Sequence, residues 1–348
     1  MTPGKIYYSV WNNKGGVGKS FLTFALATEY AKKHPNRQVL VVDMCPQANV
    51  SEMLLGGNGA GSEKVAELID KRKTIGGYFD ERIKSPHSLT GSETSYEINV
   101  CQFNERIPAN LSLVVGDPSL EIQVQTINNI AVQELPGDSW KNVHLWVRTL
   151  VDAICSTHEG RGIIVLIDCN PSFSSYTEQA ILATNRLIVP CSPDGSSARA
   201  ISNVLRLVYG IGLPENYRQA SFAQKAKDAS LPLPKMHLVI FNRYTQYRGT
   251  ANAHEAMWKQ IGMTVKKEIA RDRDHRLATG EQDSPLLGYQ IPDAHSATII
   301  ASWLGMLPTD ISAGKQYEIA NKKITVSKDV LDRYLEQIDH CTDLLAAN

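Results

Sequence analysis

No charge of one sign dominates this sequence: 36 Lys and Arg are matched by 36 Asp and Glu over 348 residues. A near-zero overall field argues against a dedicated, strongly basic nucleic-acid protein and leaves that role to a local patch at most. No apolar run approaches the ~20 residues of a membrane-spanning helix, and Met1-Thr2-Pro3-Gly4-Lys5 lacks the basic-then-apolar order of a secretion signal. A cytoplasmic location is therefore expected, without membrane attachment. Cysteine is scarce, at positions 45, 101, 155, 169, 191 and 341, with no C-x-x-C spacing and no paired histidines. Neither a disulfide framework nor a zinc site is signalled, so reduced thiols are expected. Apolar residues are plentiful at 43% of the chain, ample for the core of one large α/β domain or two smaller ones.

The most informative stretch is residues 6–20, where the β-rich run Ile6-Tyr7-Tyr8-Ser9-Val10 leads through Trp11-Asn12-Asn13 into Lys14-Gly15-Gly16-Val17-Gly18-Lys19-Ser20. Glycines 15, 16 and 18 let the backbone curl so that successive N–H groups point inward, at the positive end of the dipole of the helix that follows. That nest suits phosphate. Lys19 would reach the β/γ-phosphates of a nucleotide and the Ser20 hydroxyl would help to hold Mg²⁺. Leu22, Ala25, Leu26 and Tyr30 recur at helical spacing through residue 33, and Lys32-Lys33 close the last turn, where cations suit the dipole.

Two short apolar runs each end in a carboxylate, Val39–Asp43 and Gly162–Asp168. Such runs read as buried parallel strands whose carboxyl ends face the ligand crevice of an α/β sheet. Asp168 is the natural acid for orienting Mg²⁺ opposite Ser20.

Residue 13 is Asn where the common G-x-x-x-x-G-K-[ST] loop has glycine, and a second lysine, Lys14, stands at the front. The stretch resembles the K-G-G-x-G-K-[ST] loop, the deviant Walker A motif of the ParA/MinD-type ATPases, closest to the ParA-like partition proteins. That resemblance implies a P-loop NTPase fold, a mainly parallel sheet with helices on both faces, and ATP with Mg²⁺ as ligands. It implies that Lys14 reaches across an ATP-dependent homodimer to the partner's nucleotide. It assigns catalytic roles to Lys14, Lys19, Asp43 and Asp168, and nucleotide contacts to Lys14, Gly15, Gly16, Val17, Gly18, Lys19, Ser20, Phe21, Asn242 and Arg271. Ser20 and Asp168 are its metal ligands.

Asp43-Met44-Cys45-Pro46-Gln47 is similar to the family's D-x-D-P-Q motif, with Cys45 in place of the second Asp, which organises the attacking water. A thiol accepts a proton at neutral pH only if its pKa is depressed, so slow hydrolysis is expected beside intact nucleotide binding. Phe21 replaces the Thr or Ser that touches the α-phosphate. Asp168-Cys169-Asn170-Pro171-Ser172 resembles the D-C-P-P-S switch, and Asn110–Pro118 the strand N-L-x-x-I-P. Asn242, at the end of the apolar run from Met236, stands where the wider class reads adenine. Arg271, Arg273 and Arg276 fall in a loop that resembles the one supplying arginine to DNA in partition proteins.

Elsewhere, Gly56–Ser62 reads as a loop before a helix from Val65, Lys71-Arg72-Lys73 as a solvated turn, and Pro86–Tyr96 as polar and exposed. Residues 120–140 show no clear period. Trp140–Cys155, Thr177–Thr184, Ser196–Tyr209, His254–Ile261 and Thr298–Leu307 read as helices, and Leu187–Pro190 and Val265–Ile269 as strands. Surface insertions are expected near 56–100 and 213–235. The ATPase domain is expected over 1–315 and a helical extension over 316–348, with Leu331, Tyr334, Leu335, Ile338, Cys341 and Leu345 on one face behind an N-cap at Ser327. Its polar face carries Asp329, Asp332, Glu336, Asp339 and Asp343, which anionic lipid repels, so it is expected to pack on the body or on a partner. The expected function is a dimeric ATP switch that positions DNA or a large cargo, with non-specific DNA and an adaptor protein as candidate partners. The competing expectation is a nucleotide-locked module that recruits a partner with little turnover.

Overall fold

The computed structural model describes residues 5–192 apart from 134 and 136, residues 197–244, scattered positions between 256 and 267, and residues 289–346. Eight strands form one sheet: β1 (Lys5–Val10), β2 (Gln38–Met44), β3 (Ile98–Asn99), β4 (Leu111–Val114), β5 (Ile163–Cys169), β6 (Arg186–Cys191), β7 (Lys235–Tyr244) and β8 (Tyr289–Pro292). Their spatial order is β3-β4-β2-β5-β1-β6-β7-β8. Every neighbouring pair is parallel except the edge pair β3–β4. The expected α/β architecture, a mainly parallel sheet with helices on both faces, is what forms.

The inner strands are apolar on both faces because both faces are covered. Tyr7, Leu40, Val42, Val165 and Ile167 point into one core with Tyr78, Phe79, Leu150 and Ile181. Their alternates Tyr8, Val39, Val41, Ile164 and Leu166 point into the other, with Leu22, Leu26, Leu54, Ile300 and Ile338. Register then does the work of site building. Asp168 pairs with Val10 on one side of β5 and with Asp43 on the other, so the carboxyl ends of β1, β2 and β5 meet at one level.

Several local expectations are corrected. Residues 119–131 form a helix (Ser119–Ala131) burying Leu120, Gln123, Ile127 and Ile130. The polar Gln123 in that stripe hid the period; its Nε2 donates to Gly76 O (2.8 Å) and Asp80 Oδ1 (2.6 Å). The helix expected over Trp140–Cys155 is two, Ser139–His144 and Trp146–Thr157, meeting at Leu145. Gly56–Ser62 is loop only as far as Gly59, since a helix starts at Ala60. Arg72 is no solvated bystander: it has φ 52° and its guanidinium bonds Asp117 Oδ2 at 3.0 Å and Asp80 Oδ2 at 2.9 Å. Glu93 and Tyr96, within the stretch expected to be exposed, are buried. The two expected surface insertions both feed the core, one with Val65, Leu68, Ile75 and Tyr78, the other with Phe222 and Ala226.

Residues beyond 315 open with a hairpin, Tyr317–Ile319 against Lys322–Ile324, whose turn residues Ala320 and Asn321 have φ 49° and 63°. The C-terminal helix (Lys328–Ala346) then buries Leu331, Tyr334, Ile338, Cys341 and Leu345 against the body. Its last carbonyls are satisfied by the sheet: Tyr8 OH donates to Leu345 O at 3.0 Å, and His237 Nε2 to Leu344 O at 3.0 Å. Lys33 holds its polar side, 2.7 Å from Asp339 and 2.6 Å from Asp343. Among the described residues no helix is long and apolar enough to cross a membrane.

Candidate nucleotide-binding site

The loop between β1 and the first helix, α1 (Lys19–Lys33), is fixed from below. Buried Asn12 donates from Nδ2 to Pro190 O (2.8 Å) on β6 and accepts from Lys14 N (3.0 Å). Trp11 Nε1 donates to Asn170 O at 3.0 Å, tying the loop to the segment after β5. Gly16 (φ 75°) and Gly18 (φ 80°) adopt the left-handed conformation that curls the chain, and Gly18 is the N-cap of α1. A Cβ at Gly18 would sit on this left-handed backbone 2.6 Å from Asn242 Nδ2, so a side chain there is strained and displaces the Asn242 amide. Gly15 adjoins open space, and the Val17 side chain is buried, so Val17 presents backbone alone.

Lys19 is nearly buried, and its Nζ donates to Asn12 O (3.2 Å) and Lys14 O (3.0 Å). Burial lowers its pKa, an effect opposed chiefly by the charge of Asp168. Lys14 Nζ donates to Ser192 Oγ at 2.9 Å, just beyond β6. Asp168 is fully buried, and burial, then the charge of Asp43, push its carboxyl up to about 7 against the pull of Ser20 and Lys19. Its Oδ1 is 3.5 Å from Thr23 Oγ1, while Oδ2 has no hydrogen-bond partner. A buried, unpartnered carboxylate oxygen beside the Ser20 hydroxyl is a donor set of hard oxygens, and it fits Mg²⁺.

Asp43 is spent differently. Its Oδ1 accepts from Cys45 N (3.0 Å), and its Oδ2 from Ser51 N (3.1 Å) and Ser51 Oγ (2.7 Å). Burial raises its pKa to about 6. The carboxylate thus organises the turn into the helix Asn49–Leu54 and offers nothing directly to a ligand. Cys45 lies in the cleft, and burial followed by the charges of Asp43 and Asp168 pushes its thiol up to about 12. It is a protonated thiol at neutral pH, unable to act as a base.

Gly15, Gly16, Gly18, Lys19, Ser20 and Cys45 line a cleft of about 660 Å³ that also touches Phe21, Asn170, Arg243 and Trp303. Asn242, read from sequence as an adenine contact, donates from Nδ2 to Val17 O at 2.9 Å and braces the loop. Its neighbour Arg243, which the sequence reading passed over, lines the cleft with Nη1 3.5 Å from Gly16 O. So does the helix Ser296–Leu304, which the sequence placed only as packing. Neither carries a motif; both arrive through the order of the strands. Arg271, Arg273, Arg276, half of the helix expected at 254–261 and four of the five residues of the strand expected at 265–269 lie outside the described residues; those described, 256, 258–260 and 267, are helical, which at 267 corrects the expected strand.

Comparison with known proteins agrees with this geometry. An uncharacterised protein of Methanocaldococcus jannaschii, MJECL24, is 23% identical over 243 residues, 69% of this chain and 74% of that protein. Among solved structures, McdA of Cyanothece in complex with ATP superposes with a TM-score of 0.55 at 13% identity, covering 97% of this chain and 96% of the other. A protein of Borrelia burgdorferi B31 assigned to plasmid partition, bound to AMPPNP, gives 0.53 at 17% identity, covering 97% and 98%. At such identities the structures speak for the fold. The family model described as an AAA domain matches residues 5–217, more than half of the chain and all of the phosphate loop, Asp43 and Asp168. The chain therefore belongs to this AAA-domain family of ParA-like P-loop ATPases.

Proposed function

We propose that this protein is an ATP-dependent dimeric switch that positions or segregates DNA or a large cargo and hydrolyses ATP slowly. The observation that carries the reading is Asp168 Oδ2, buried and unpartnered beside Ser20, the residue that follows the loop lysine. Backbone N–H groups of Gly15–Lys19 would cradle the phosphates and Lys19 would leave its loop carbonyls for the β/γ-phosphates. Ser20 and Asp168 would hold Mg²⁺, which supplies charge neutralisation at the phosphates. Lys14 would leave Ser192 for the partner's nucleotide, and Arg271 would complete the contacts to the nucleotide. The DNA and adaptor partners rest on the family, on the partition role assigned to the Borrelia burgdorferi protein and on Arg271, Arg273 and Arg276. Asp43 acts as a positioning residue in this scheme, since its oxygens already accept three hydrogen bonds.

A second reading, a nucleotide-locked module that recruits a partner with almost no turnover, is favoured by one observation, the protonated thiol at Cys45. The deciding experiment follows ATP hydrolysis with and without DNA, and dimerisation in the same samples. DNA-stimulated turnover selects the cycling switch, whereas ATP-dependent dimers without turnover select the locked module. Lys19→Ala should abolish ATP binding in a calorimetric titration, because it removes the cation that reaches the β/γ-phosphates; undiminished affinity would remove both readings.

A further inference from the structure

We infer that Trp11 is a positioning residue: it ties residues 170–174 to the phosphate loop and so sets how strongly the site prefers a nucleoside triphosphate over a diphosphate. The inference rests on the nucleotide reading above and names the side chain that fixes the cleft wall beyond Asp168. Trp11 directly precedes Asn12, the brace of the loop. Its backbone N–H donates to Ile188 O on β6 at 3.0 Å, and its side chain is fully buried. From that anchor the indole Nε1 reaches Asn170 O at 3.0 Å, two residues past Asp168. Asn170 and Pro171 line the same cleft as Gly15, Gly16 and Gly18.

The indole is aimed by rings as well as anchored by backbone. Phe173 packs on it with centroids 5.2 Å apart, and Phe222, from the helix Phe222–Asp228, stands edge-on to Phe173 at 5.5 Å and 87°. The helix Ser175–Leu182 holds the same segment: Thr177 Oγ1 donates to Ser172 O at 2.8 Å, and Tyr176 OH accepts from Asn170 Nδ2. Trp11 therefore joins this helix and segment to β1 and the loop that β1 feeds. In the nucleotide reading Lys19 and Ser20 take the β- and γ-phosphates, with Mg²⁺ between Ser20 and Asp168. The wall that starts at Asp168 then meets the end of the ligand that a triphosphate has and a diphosphate lacks. Held by a buried hydrogen bond, that wall costs little to organise when the third phosphate arrives. Released from the indole, it must be ordered on binding, and that cost falls on the triphosphate alone.

The test titrates ADP and the non-hydrolysable analogue AMPPNP, each with Mg²⁺, into the parent protein and into Trp11→Phe, Phe173→Leu and Trp146→Phe. Trp11→Phe keeps a ring against Phe173 and removes the N–H, whereas Phe173→Leu keeps the N–H and loosens the ring packing. Trp146→Phe is the matched control: Trp146 is fully buried in the same core, its Nε1 donates to Pro86 O at 2.9 Å, and it does not line the cleft. Trp11→Phe should lower the ratio of AMPPNP to ADP affinity about tenfold, the usual worth of a buried acceptor left unpaired, with ADP bound as in the parent. Phe173→Leu should lower the ratio in the same direction, and it carries the test alone if Trp11→Phe does not fold. Trp146→Phe should keep the parent's ratio whatever stability it loses. Equal losses for both nucleotides, or a shift as large in Trp146→Phe, would make Trp11 a core residue only and overturn the inference. If the parent binds both nucleotides and the ratio is unchanged in Trp11→Phe, or in Phe173→Leu where only that variant folds, the nucleotide reading stands and the role of Trp11 falls. If the parent binds neither, both fall.

Discussion

Position 45 carries a thiol in the cleft that the proposed nucleotide would enter. The thiol is buried beside two carboxyl groups, and both burial and those charges keep it protonated. Cys45→Asp should therefore raise ATP hydrolysis by about 10²–10⁴-fold, the usual worth of a positioned base. A parent that already turns over as fast as the variant would show that another group orients the water. Asp168 makes a prediction about pH. Its folded carboxyl is raised to about 7, well above the 3.8 of a carboxyl in water. Between those values the folded state holds more protons than the unfolded state, so this residue's contribution to stability is lost as pH rises through the window. Without nucleotide, the melting temperature of the parent should fall relative to Asp168→Asn between pH 5 and pH 7.5. His237, depressed to about 4 by burial, acts in the opposite sense but is common to both chains and cancels in the comparison. A difference between the two chains that stays constant with pH would contradict the assignment. Of these residues, Cys45 and Asp168 were legible from strand endings and motif spacing. The bracing role of Asn242 and the triple engagement of Asp43 were not, because hydrogen bonds to Val17 and Ser51 are made by partners that no periodicity marks.

Among the elements, the walls of the cleft were the least visible in sequence. Residues 56–100 look like an insertion because glycines and polar residues interrupt them, yet Gly57 and Gly305 lack side chains where the loop meets the end of the helix Ser296–Leu304: a Cβ at Gly57 would lie 2.2 Å from Trp303 O, and one at Gly305 2.6 Å from Gly56 C. Asn104 pins the same junction. Asn104→Ala would leave the buried carbonyls of Leu54 and Gly305 without this donor, and a loss of about 1–3 kcal/mol is expected in urea unfolding. ATP affinity should weaken with it, since one wall of the cleft is released; a variant as stable as the parent would show that the junction is held by packing alone. The C-terminal helix, by contrast, was readable as an amphipathic face from Leu331 to Leu345. What the sequence lacked was its receptor, the groove of α1 and the sheet where Tyr8 and His237 take its last carbonyls.

For the whole molecule the open quantity is assembly. Lys14 is held within its own chain by Ser192, so Lys14→Ala should leave ATP binding nearly intact while weakening ATP-dependent dimerisation in sedimentation or light scattering. Dimers that form as in the parent would make Lys14 a loop lysine and nothing more. The chain of inference from sequence to molecule divides at a definite place. The sequence by itself determined the strand–loop–helix of residues 6–33, the buried strands ending in Asp43 and Asp168, and hence the parallel α/β class. Each of these is written in local spacing, in glycines that must curl and in apolar runs that must be covered on both faces. Only the tertiary structure decided which carboxylate stays unpartnered, which amide is consumed in bracing the loop, and that Phe21 and Trp303, 282 positions apart in the chain, line one cleft. The physical reason is strand order: β8 and the helix after it join the sheet at the far end from β4, yet that helix lies back over the same face as α1. Contacts made across a sheet by segments so distant in sequence are set by packing, which leaves no period in the sequence to read.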